Sequence, residues 1–487
     1  MDRSTVELIV FIIYLICMLG IGVYFFFKSR GGGDKDYFLG GRKMGPFVTA
    51  LSAGTADMSA WVLMGLPASI YALGMGQIWI PIGLALGYAC SWIFEAPRLR
   101  KFSIVADDSI TIPQFLTNRF LSKSKALQVV CAVIFLVAYT IYASSSIKAC
   151  GTLFNTVAGI DTNIAMYVAA LITIGYVFLG GFKASCWTDF FQGLLMLGAM
   201  MLAPIFALFM MNSAGVGAAY PEGYFTVLTS WQDILSGLAW GLGYFGMPHI
   251  IVRFMSLRSQ KDMRKSAGIG IGWTVLIVFF AALIGIIGRQ FLGYDADIEA
   301  NSLVFILMVR AIFPAVISGV LLAAILAASM STASAQMLSA ASALAADVYK
   351  PIVRKGEATD REMFWMSRCA VILISVIAVA IAANPGSGTI MSLVSNAWAI
   401  FGAAFGPAII LSLFWKRFNF AGAITGIVVG GVVDILWLVF LTTPTGLYEL
   451  LPGFVIGLIA AVVATLATKA PSAEVEKLYE DALAYED

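Results

Sequence analysis

Two long apolar stretches of this 487-residue chain, residues 45–74 and 231–253, are interrupted near their middles by residues that membrane-spanning helices normally exclude. The interrupting residues are Gly54, Thr55, Asp57 and Ser59 in the first stretch and Gly241, Gly243, Gly246 and Pro248 in the second. Backbone groups left unpaired at bilayer depth cost several kcal/mol each unless a ligand, water or neighbouring protein satisfies them. Paired interruptions predict a fold of two inverted repeats, with binding sites at the breaks.

The composition predicts an all-α polytopic membrane protein. Hydrophobic residues make up 60% of the chain and charged residues only 12%, whereas soluble domains carry about 25% charged residues. A membrane-spanning helix needs about 20 apolar residues. The thirteen predicted spans are residues 6–28, 45–74, 77–96, 125–157, 163–182, 187–212, 231–253, 267–290, 314–345, 363–383, 388–414, 419–442 and 449–468.

The basic residues indicate how the chain lies in the bilayer. Lys and Arg cluster after the first, third, seventh, ninth and eleventh spans, and the loops at 213–230 and 384–387 contain none. The positive-inside rule therefore predicts an outside N-terminus and a cytoplasmic C-terminus. Because these basic residues are distributed among several short loops and are not gathered on one face, we expect no nucleic-acid surface. The expected surroundings are the lipid bilayer, with no obligate protein partner.

The position of the breaks predicts how the spans are grouped. Residues 45–213 form the first five-helix repeat and residues 214–415 the second, inverted one, each beginning with a discontinuous helix. Residues 1–44 are a peripheral first helix and a cytoplasmic loop. Residues 416–487 are two peripheral helices and a cytoplasmic tail.

The ninth span is rich in Ala, Ser and Thr, most of which we expect to serve close helix packing. Ala328, Ser331 and Thr332 stand at i, i+3 and i+4 and share one helix face. Two hydroxyls and a carbonyl on that face can join unwound carbonyls of a neighbouring helix around a small hard cation. Thr55 and Met58, which flank the first break, are placed to supply those carbonyls.

Several ionisable residues lie in or beside the apolar spans. Asp57 is interpreted as a carboxylate that supports the cation; the alternative is an N-cap for the second half of its broken helix, which does not exclude that role. Asp189 begins the sixth span, where the helix dipole favours it, and a role in the ion route is an equal alternative. The single histidine, His249, is expected to be a hydrogen-bonded structural residue. Arg42 and Arg253 are expected to be anchors that reach the interface, with gating of the inward mouth as the alternative for either.

Aromatic residues follow the second break. Trp240, Tyr244 and Pro248 recur every four residues and are predicted to share one face, with Tyr142 of the fourth span closing the pocket. The N-termini of the half-helices would bind a carboxylate through free N–H groups. These features predict a small, partly apolar zwitterion as the ligand.

Several motifs carry a likeness to a known family: YFLGGRKMGPFVTALSAGTADMSAWVLMGLP, GYVFLGGFKASCWTD, LAWGLGYFGMPHIIVRFM, AAILAASMSTASAQ, FGAAFGP and the late PGF followed by KAPSA. On these motifs the chain resembles the sodium/solute symporter family over nearly its whole length. Within that family it is most similar to the bacterial members that carry proline. The resemblance implies a LeuT-like core of ten helices, no enzymatic activity and sodium-coupled import of L-proline across the bacterial inner membrane.

The resemblance also implies roles for individual residues. Sodium, the co-transported ion, would be bound by the carbonyls of Thr55, Met58 and Ala328 and the hydroxyls of Ser331 and Thr332, with Asp57 supporting that site and Asp189 lining the cytoplasmic exit. Proline would be held by Tyr142, Trp240, Tyr244 and Pro248, with Ser59 and Trp61 nearby. The chain departs from the family pattern at Met247, in place of Gln, and at Ala56 and Ala60, in place of Ser and Gly. Met247 bears on the substrate preference more than on the ion chemistry.

Alternatives remain open from the sequence. The same fold can carry another amino acid, pantothenate or a monocarboxylate, or can couple to protons instead of sodium. Hydroxyls on the ninth span do not titrate, which favours sodium. An intramembrane enzyme is disfavoured because no nucleophile–base pair or metal-ligand spacing is present, and a channel because no repeated pore loop is present.

Overall fold

A computed structural model of the chain describes residues 1–28, 34–215 and 217–487, and it is helical without a β-strand in these ranges. The α-helices are Arg3–Lys28, Asp34–Leu39, Pro46–Asp57, Ala60–Leu63, Gly65–Leu73, Trp79–Cys90, Ala96–Val105, Ile112–Arg119, Ala126–Ala158, Thr162–Ala214, Trp231–Ala239, Pro248–Ser256, Met263–Leu292, Ala296–Ala300, Val304–Ile312, Ala315–Ser342, Asp360–Ala383, Ile390–Phe414, Phe420–Phe440, Thr442–Thr445, Leu450–Ala467 and Ala473–Ala484. The predicted all-α membrane fold is confirmed.

Within the described ranges, ten helical stretches are long and apolar enough to cross a membrane, and a pair bent by 45° makes an eleventh. Thirteen spans were expected. The difference arises because residues 45–74 are divided into short helices, the last of which run on toward the third span. In addition, residues 163–182 are joined to the next span in the helix Thr162–Ala214, which is kinked at Gly181 (φ 58°, ψ −167°).

Both predicted interruptions are present. The first helix half, Pro46–Asp57, begins with a proline at its first position, where the missing N–H has no helical partner to lose. It stops at Met58 and Ser59, whose backbones are non-helical, and Ala60–Leu63 resumes the helix. We call Met58 and Ser59 the first break.

The second interruption is built differently. The helix Trp231–Ala239 tightens into the 3₁₀ segment Trp240–Phe245, which ends at Gly246. Pro248–Ser256 then resumes as an α-helix. We call Gly246 and Met247 the second break. The glycines favour it because they weaken helix propensity, and the proline because it tolerates only the first helical turn.

The two broken spans are joined at one end. The N–H of Met44 donates to the carbonyl of Ser256 at 3.2 Å, and the N–H of Arg258 donates to the carbonyl of Met44 at 3.0 Å. Pro46–Asp57 and Pro248–Ser256 also pack against each other. The breaks of the two spans are therefore held side by side.

Five long helices contact the broken spans: Met263–Leu292, Ile390–Phe414, Ala126–Ala158, the kinked Thr162–Ala214 and Ala315–Ser342. The last of these is buried along nearly its whole length, as its small side chains predict. The first helix, Arg3–Lys28, docks on it through Glu7, whose fully buried carboxylate accepts a hydrogen bond from Ser318 at 2.6 Å. The first helix is thus fixed to the helix that carries the hydroxyl stripe.

The outer helices form a separate layer. Phe420–Phe440 and Leu450–Ala467 pack against each other and against Ile390–Phe414. The tail is a helix, Ala473–Ala484, and it lies on Ala96–Val105. The carboxylate of Asp487 pairs with the buried guanidinium of Arg100 at 2.5 Å.

Close glycine contacts hold the second broken span in place, and they generate a stability prediction. A Cβ atom at Gly87 would lie 2.1 Å from the carbonyl oxygen of Gly241, whereas one at Gly20 would meet nothing within 4 Å. We expect Gly87→Val to lower the free energy of unfolding by about 1–3 kcal/mol or more through overpacking. Thermal unfolding of the detergent-solubilised protein measures this, with Gly20→Val as the control. Equal midpoints for the two variants would contradict the close packing.

Candidate ion and solute site at the helix breaks

Oxygen atoms from two helices converge beside the first break. The hydroxyls of Ser331 and Thr332 donate to the carbonyl of Thr55 at 3.0 and 3.4 Å, and Ser331 also lies 3.1 Å from the carbonyl of Ala328. All four residues are fully buried. Met58 follows in the break itself, and its N–H donates to the carbonyl of Gly54 at 2.9 Å.

This set of oxygens suits a small hard cation. Hydroxyls that point at a carbonyl can rotate and present lone pairs to an ion instead. The neighbouring oxygens lie 3.0–3.4 Å apart, a spacing at which one ion can contact several of them. Among the described residues no cluster of three or more His, Cys, Asp or Glu side chains is placed to hold a metal, so neutral oxygens dominate at this position.

Asp57 connects the two broken spans. Its Oδ2 accepts a hydrogen bond from the Tyr244 hydroxyl at 2.5 Å, and its main-chain carbonyl accepts one from Tyr142 at 3.3 Å. The alternative interpretation of Asp57, an N-cap, is wrong, because Ser59 caps Ala60–Leu63 through its side chain at 3.5 Å from the N–H of Trp61. The Oδ1 atom of Asp57 is buried without a hydrogen-bond partner in the described ranges.

Aromatic rings close one side of the pocket. The ring of Trp240 lies 5.8 Å from Trp61, 5.3 Å from Tyr448 and 6.5 Å from Trp398. The indole N–H of Trp398 donates to the carbonyl of Trp240 at 2.8 Å. Trp398 and Tyr448 were missed in the sequence, because they lie far beyond Trp240 in the chain, Trp398 in the apolar helix Ile390–Phe414 and Tyr448 just before the helix Leu450–Ala467.

Five of the six residues expected to bind the solute come together. The hydroxyl of Tyr142 lies beside the side chains of Ser59 and Trp61, and the rings of Trp240 and Tyr244 both approach Trp398. All five residues are buried.

Pro248 is placed apart from these five. It lines a cavity on the other side of the second break, together with Val252, Arg253 and Ser339. The expectation that Trp240, Tyr244 and Pro248 share one face is wrong, because a 3₁₀ segment has about three residues per turn and the break then redirects the chain.

The start of Pro248–Ser256 offers no free N–H group. Proline has none, the N–H of His249 donates to the hydroxyl of Tyr139 at 2.9 Å, and those of Ile250 and Ile251 donate to the carbonyl of Met247 at 3.1 Å. The expectation that this helix end binds a carboxylate is therefore wrong. Side chains must supply the polar contacts of any ligand on this side.

Asp189 and Arg253 form a buried ion pair toward the end of the broken spans at which Met44 and Ser256 are hydrogen-bonded. Their atoms Oδ2 and Nη2 lie 2.9 Å apart, and Ser52 bridges them through hydrogen bonds of 2.7 Å to each. Arg253 is 1% exposed, so it is not the interfacial anchor that was expected. One turn beyond Asp189 toward its helix start, Ser185 lies 3.2 Å from Ser334 of the hydroxyl-bearing helix.

Comparison with known proteins decides the family. The profile of the Sodium:solute symporter family matches residues 37–430. The chain belongs to this family. The predictions of a symporter family and of a transporter rather than an enzyme are confirmed.

Curated relatives are similar over nearly the whole length of this symporter. The osmoregulated proline transporter OpuE of Bacillus subtilis (strain 168) is 41% identical over 487 residues, covering 98% of both chains. The sodium/proline symporter of Staphylococcus aureus (strain JH9) is 40% identical over 490 residues, covering 98% of this chain and 95% of that one.

Solved structures are similar in fold. A Na⁺-coupled sialic acid symporter in a substrate-bound outward-open state has a TM-score of 0.76 at 20% identity, covering 96% of this chain and 98% of that chain. A nucleobase-cation-symport-1 family transporter in a closed conformation has a TM-score of 0.56 at 12% identity, covering 92% and 98%. The predicted LeuT-like fold is confirmed.

The buried ion pair of this symporter generates a double-variant prediction. We expect Asp189→Asn and Arg253→Gln each to destabilise the folded protein by about 3–5 kcal/mol, because each leaves the other charge buried and unpaired. The combined variant should lose much less stability than the sum of the losses in the two single variants. Thermal unfolding of the four proteins measures the coupling, and additive losses would contradict it.

An exposed ion pair provides the matched control for this experiment. Lys416 and Glu480 lie 2.7 Å apart with exposed side chains. We expect Glu480→Gln to change stability by less than about 1 kcal/mol, because solvent screens the pair.

Proposed function

We propose that this chain imports L-proline together with sodium across the bacterial plasma membrane by alternating access. The observation that carries the proposal is the gathering of the oxygens of Thr55, Ala328, Ser331 and Thr332 beside a buried aromatic pocket. The names of the full-length relatives, a proline transporter and a sodium/proline symporter, support the choice of solute and ion.

In the proposed site, sodium binds between the first break and the hydroxyl-bearing helix. The carbonyls of Thr55, Met58 and Ala328 and the hydroxyls of Ser331 and Thr332 are its ligands. The ion replaces hydrogen bonds that already join the two helices, so binding fastens the first broken span to its neighbour. Because that span carries Asp57 and Trp61, ion binding also organises the pocket for the solute.

Proline is proposed to lie among the side chains of Ser59, Trp61, Tyr142, Trp240 and Tyr244. Rings on several sides suit the pyrrolidine methylene groups, which gain from removal from water. The carboxylate Oδ1 of Asp57, which lacks a partner in the described ranges, faces the same break and suits the solute's ammonium group. Pro248 and Asp189 then belong to the route by which solute and ion leave.

The orientation follows from the basic loops, and we propose an outside N-terminus and a cytoplasmic C-terminus. The Trp240 stack then closes the outer side. The cavity beside Pro248 and Arg253 lies toward the cytoplasm, where the pair of Asp189 and Arg253 controls the inner opening.

The sodium gradient provides enough free energy for accumulation. One charge crossing 100 mV releases about 2.3 kcal/mol, and a tenfold sodium gradient adds about 1.4 kcal/mol. One sodium per solute thus supports a several-hundredfold solute ratio.

Two rival assignments keep the fold. In the first rival, the cargo is another amino acid, pantothenate or a monocarboxylate. The fully buried, apolar Met247 in the second break favours this alternative. In the other rival, protons replace sodium. Uptake into proteoliposomes separates these: labelled proline should accumulate only with an inward sodium gradient, and a proton gradient alone should have no effect. Uptake driven by protons without sodium would reject the proposal.

The sodium ligands generate a hydroxyl-deletion prediction. We expect Ser331→Ala and Thr332→Val each to raise the sodium concentration for half-maximal uptake about tenfold or more, since each removes a ligand to a charged partner. Thr332→Ser keeps the hydroxyl, so its sodium concentration for half-maximal uptake should remain near that of the parent protein. Unchanged sodium activation in the double deletion would reject this ion site.

The aromatic pocket generates a solute-affinity prediction. We expect Trp240→Ala to raise the KM for proline about tenfold or more, because it removes a large buried ring from the pocket wall. Trp231 is the first residue of the helix that precedes Trp240 in the same broken span, and it is 60% exposed. Trp231→Ala therefore serves as the control. A KM that moves equally in both variants would contradict the pocket assignment.

A further inference from the structure

The single histidine of the chain is buried with unused hydrogen-bonding capacity. His249 is fully inaccessible, and neither ring nitrogen has a hydrogen-bond partner of normal geometry among the described residues. The backbone of Ala56, next to the first break, lies near the ring. Buried polar atoms are nearly always paired, so such an imidazole needs an explanation.

The main chain fixes where the ring lies. The N–H of His249 donates to the Tyr139 hydroxyl at 2.9 Å, and its carbonyl accepts a hydrogen bond from the guanidinium of Arg253. The imidazole meets the ring of Tyr139 edge-on at 5.5 Å and that of Tyr142 at 6.3 Å. The ring is therefore held between the second broken span and the pocket residue Tyr142, without using its own nitrogens.

The ring is also near the first break. Ala56 immediately precedes Asp57, whose carbonyl accepts the hydroxyl of Tyr142. A neutral imidazole has one N–H donor and one acceptor nitrogen. With its N–H turned to the carbonyl of Ala56, the other nitrogen is an acceptor. The Oδ1 atom of Asp57 is a second unused acceptor on the same stretch of chain.

The nature of these groups restricts what they bind. Two acceptors match a ligand group that presents two N–H donors, and a cyclic secondary ammonium presents two. The main-chain N–H groups beside His249 are all occupied or missing, and the donor of the pocket that has no partner among the described residues, the indole N–H of Trp61, belongs to the other broken span. The pocket is thus equipped on this side for an ammonium group, not for a carboxylate.

We propose that the acceptor nitrogen of His249 receives a hydrogen bond from the ammonium group of the cargo, next to Asp57, and that His249 is a specificity-determining residue. This inference rests on the proposed function, since it takes an imino acid as cargo. His249 selects for the N–H group of the ring, and the aromatic side chains recognise its methylene groups.

The test compares two ligands that differ at one ring atom, where the charged secondary ammonium of proline is replaced by a neutral ether oxygen that has no N–H group. Proline and tetrahydrofuran-2-carboxylate, whose ring oxygen replaces the nitrogen, compete with labelled proline for sodium-dependent uptake into proteoliposomes. We expect His249→Phe to weaken proline about tenfold or more and to leave the oxygen analogue unchanged, so that the discrimination between them falls. His249→Asn, which retains an acceptor, should restore part of the discrimination between the two ligands. The sodium concentration for half-maximal uptake should stay constant in both variants.

A control separates a recognition role from a structural one. Tyr139→Phe removes the hydroxyl that holds the main chain of His249 and leaves the imidazole in place. We expect this variant to weaken both ligands by the same factor. If His249→Phe also weakens both equally, or if His249→Asn does not recover discrimination, the proposal is overturned. Absence of sodium-dependent proline uptake in the parent protein would instead overturn the proposed function.

Discussion

The whole arrangement depends on pairing the backbone at two interruptions that lie inside an apolar protein. The carbonyl of Thr55 is taken up by hydroxyls from a helix about 276 residues further along the chain, and Asp57 is held by Tyr244 of the other broken span. Polar groups at the first interruption are thus satisfied by two different segments, and at the second the N–H of His249 donates to the hydroxyl of Tyr139. Because unpaired backbone at this depth costs several kcal/mol per group, these contacts determine which helices are neighbours and how closely they approach.

The same groups that satisfy the breaks are the proposed ligands. A cation that enters beside Thr55 exchanges hydrogen bonds for ion contacts without requiring new residues, and its binding therefore acts on helix position. At one end of the broken spans the ion pair of Asp189 and Arg253, bridged by Ser52, holds three spans together. At the other end, the ring of Trp240 in the second broken span contacts Trp61 of the first broken span and Tyr448, and so holds these segments together. In the proposed cycle, opening one end requires that one of these two contacts be given up while the ion holds the centre.

Local pattern predicted part of the site and misplaced another part. The hydroxyl stripe was predictable because i, i+3 and i+4 positions share a face in any regular helix. The face assigned to Trp240, Tyr244 and Pro248 was wrong because that rule fails where the helix tightens and stops. The N-cap alternative for Asp57 was also wrong, and the partner of its side chain, Tyr244, is remote in sequence. Arg253 resembled an anchor because its burial depends on Asp189, 64 residues away.

The sequence by itself determined the membrane environment, the helical class, the two interruptions and the small-residue helix, since composition, hydropathy and helix periodicity are properties of short segments. It also contained the family motifs that predicted a sodium symporter. Only the tertiary structure decided which side chains meet at the breaks, that Trp398 and Tyr448 complete the aromatic wall, and that His249 is buried with ring nitrogens that have no partner among the described residues. These features depend on contacts between segments far apart in the chain, and no local pattern encodes which distant group will satisfy an unpaired one.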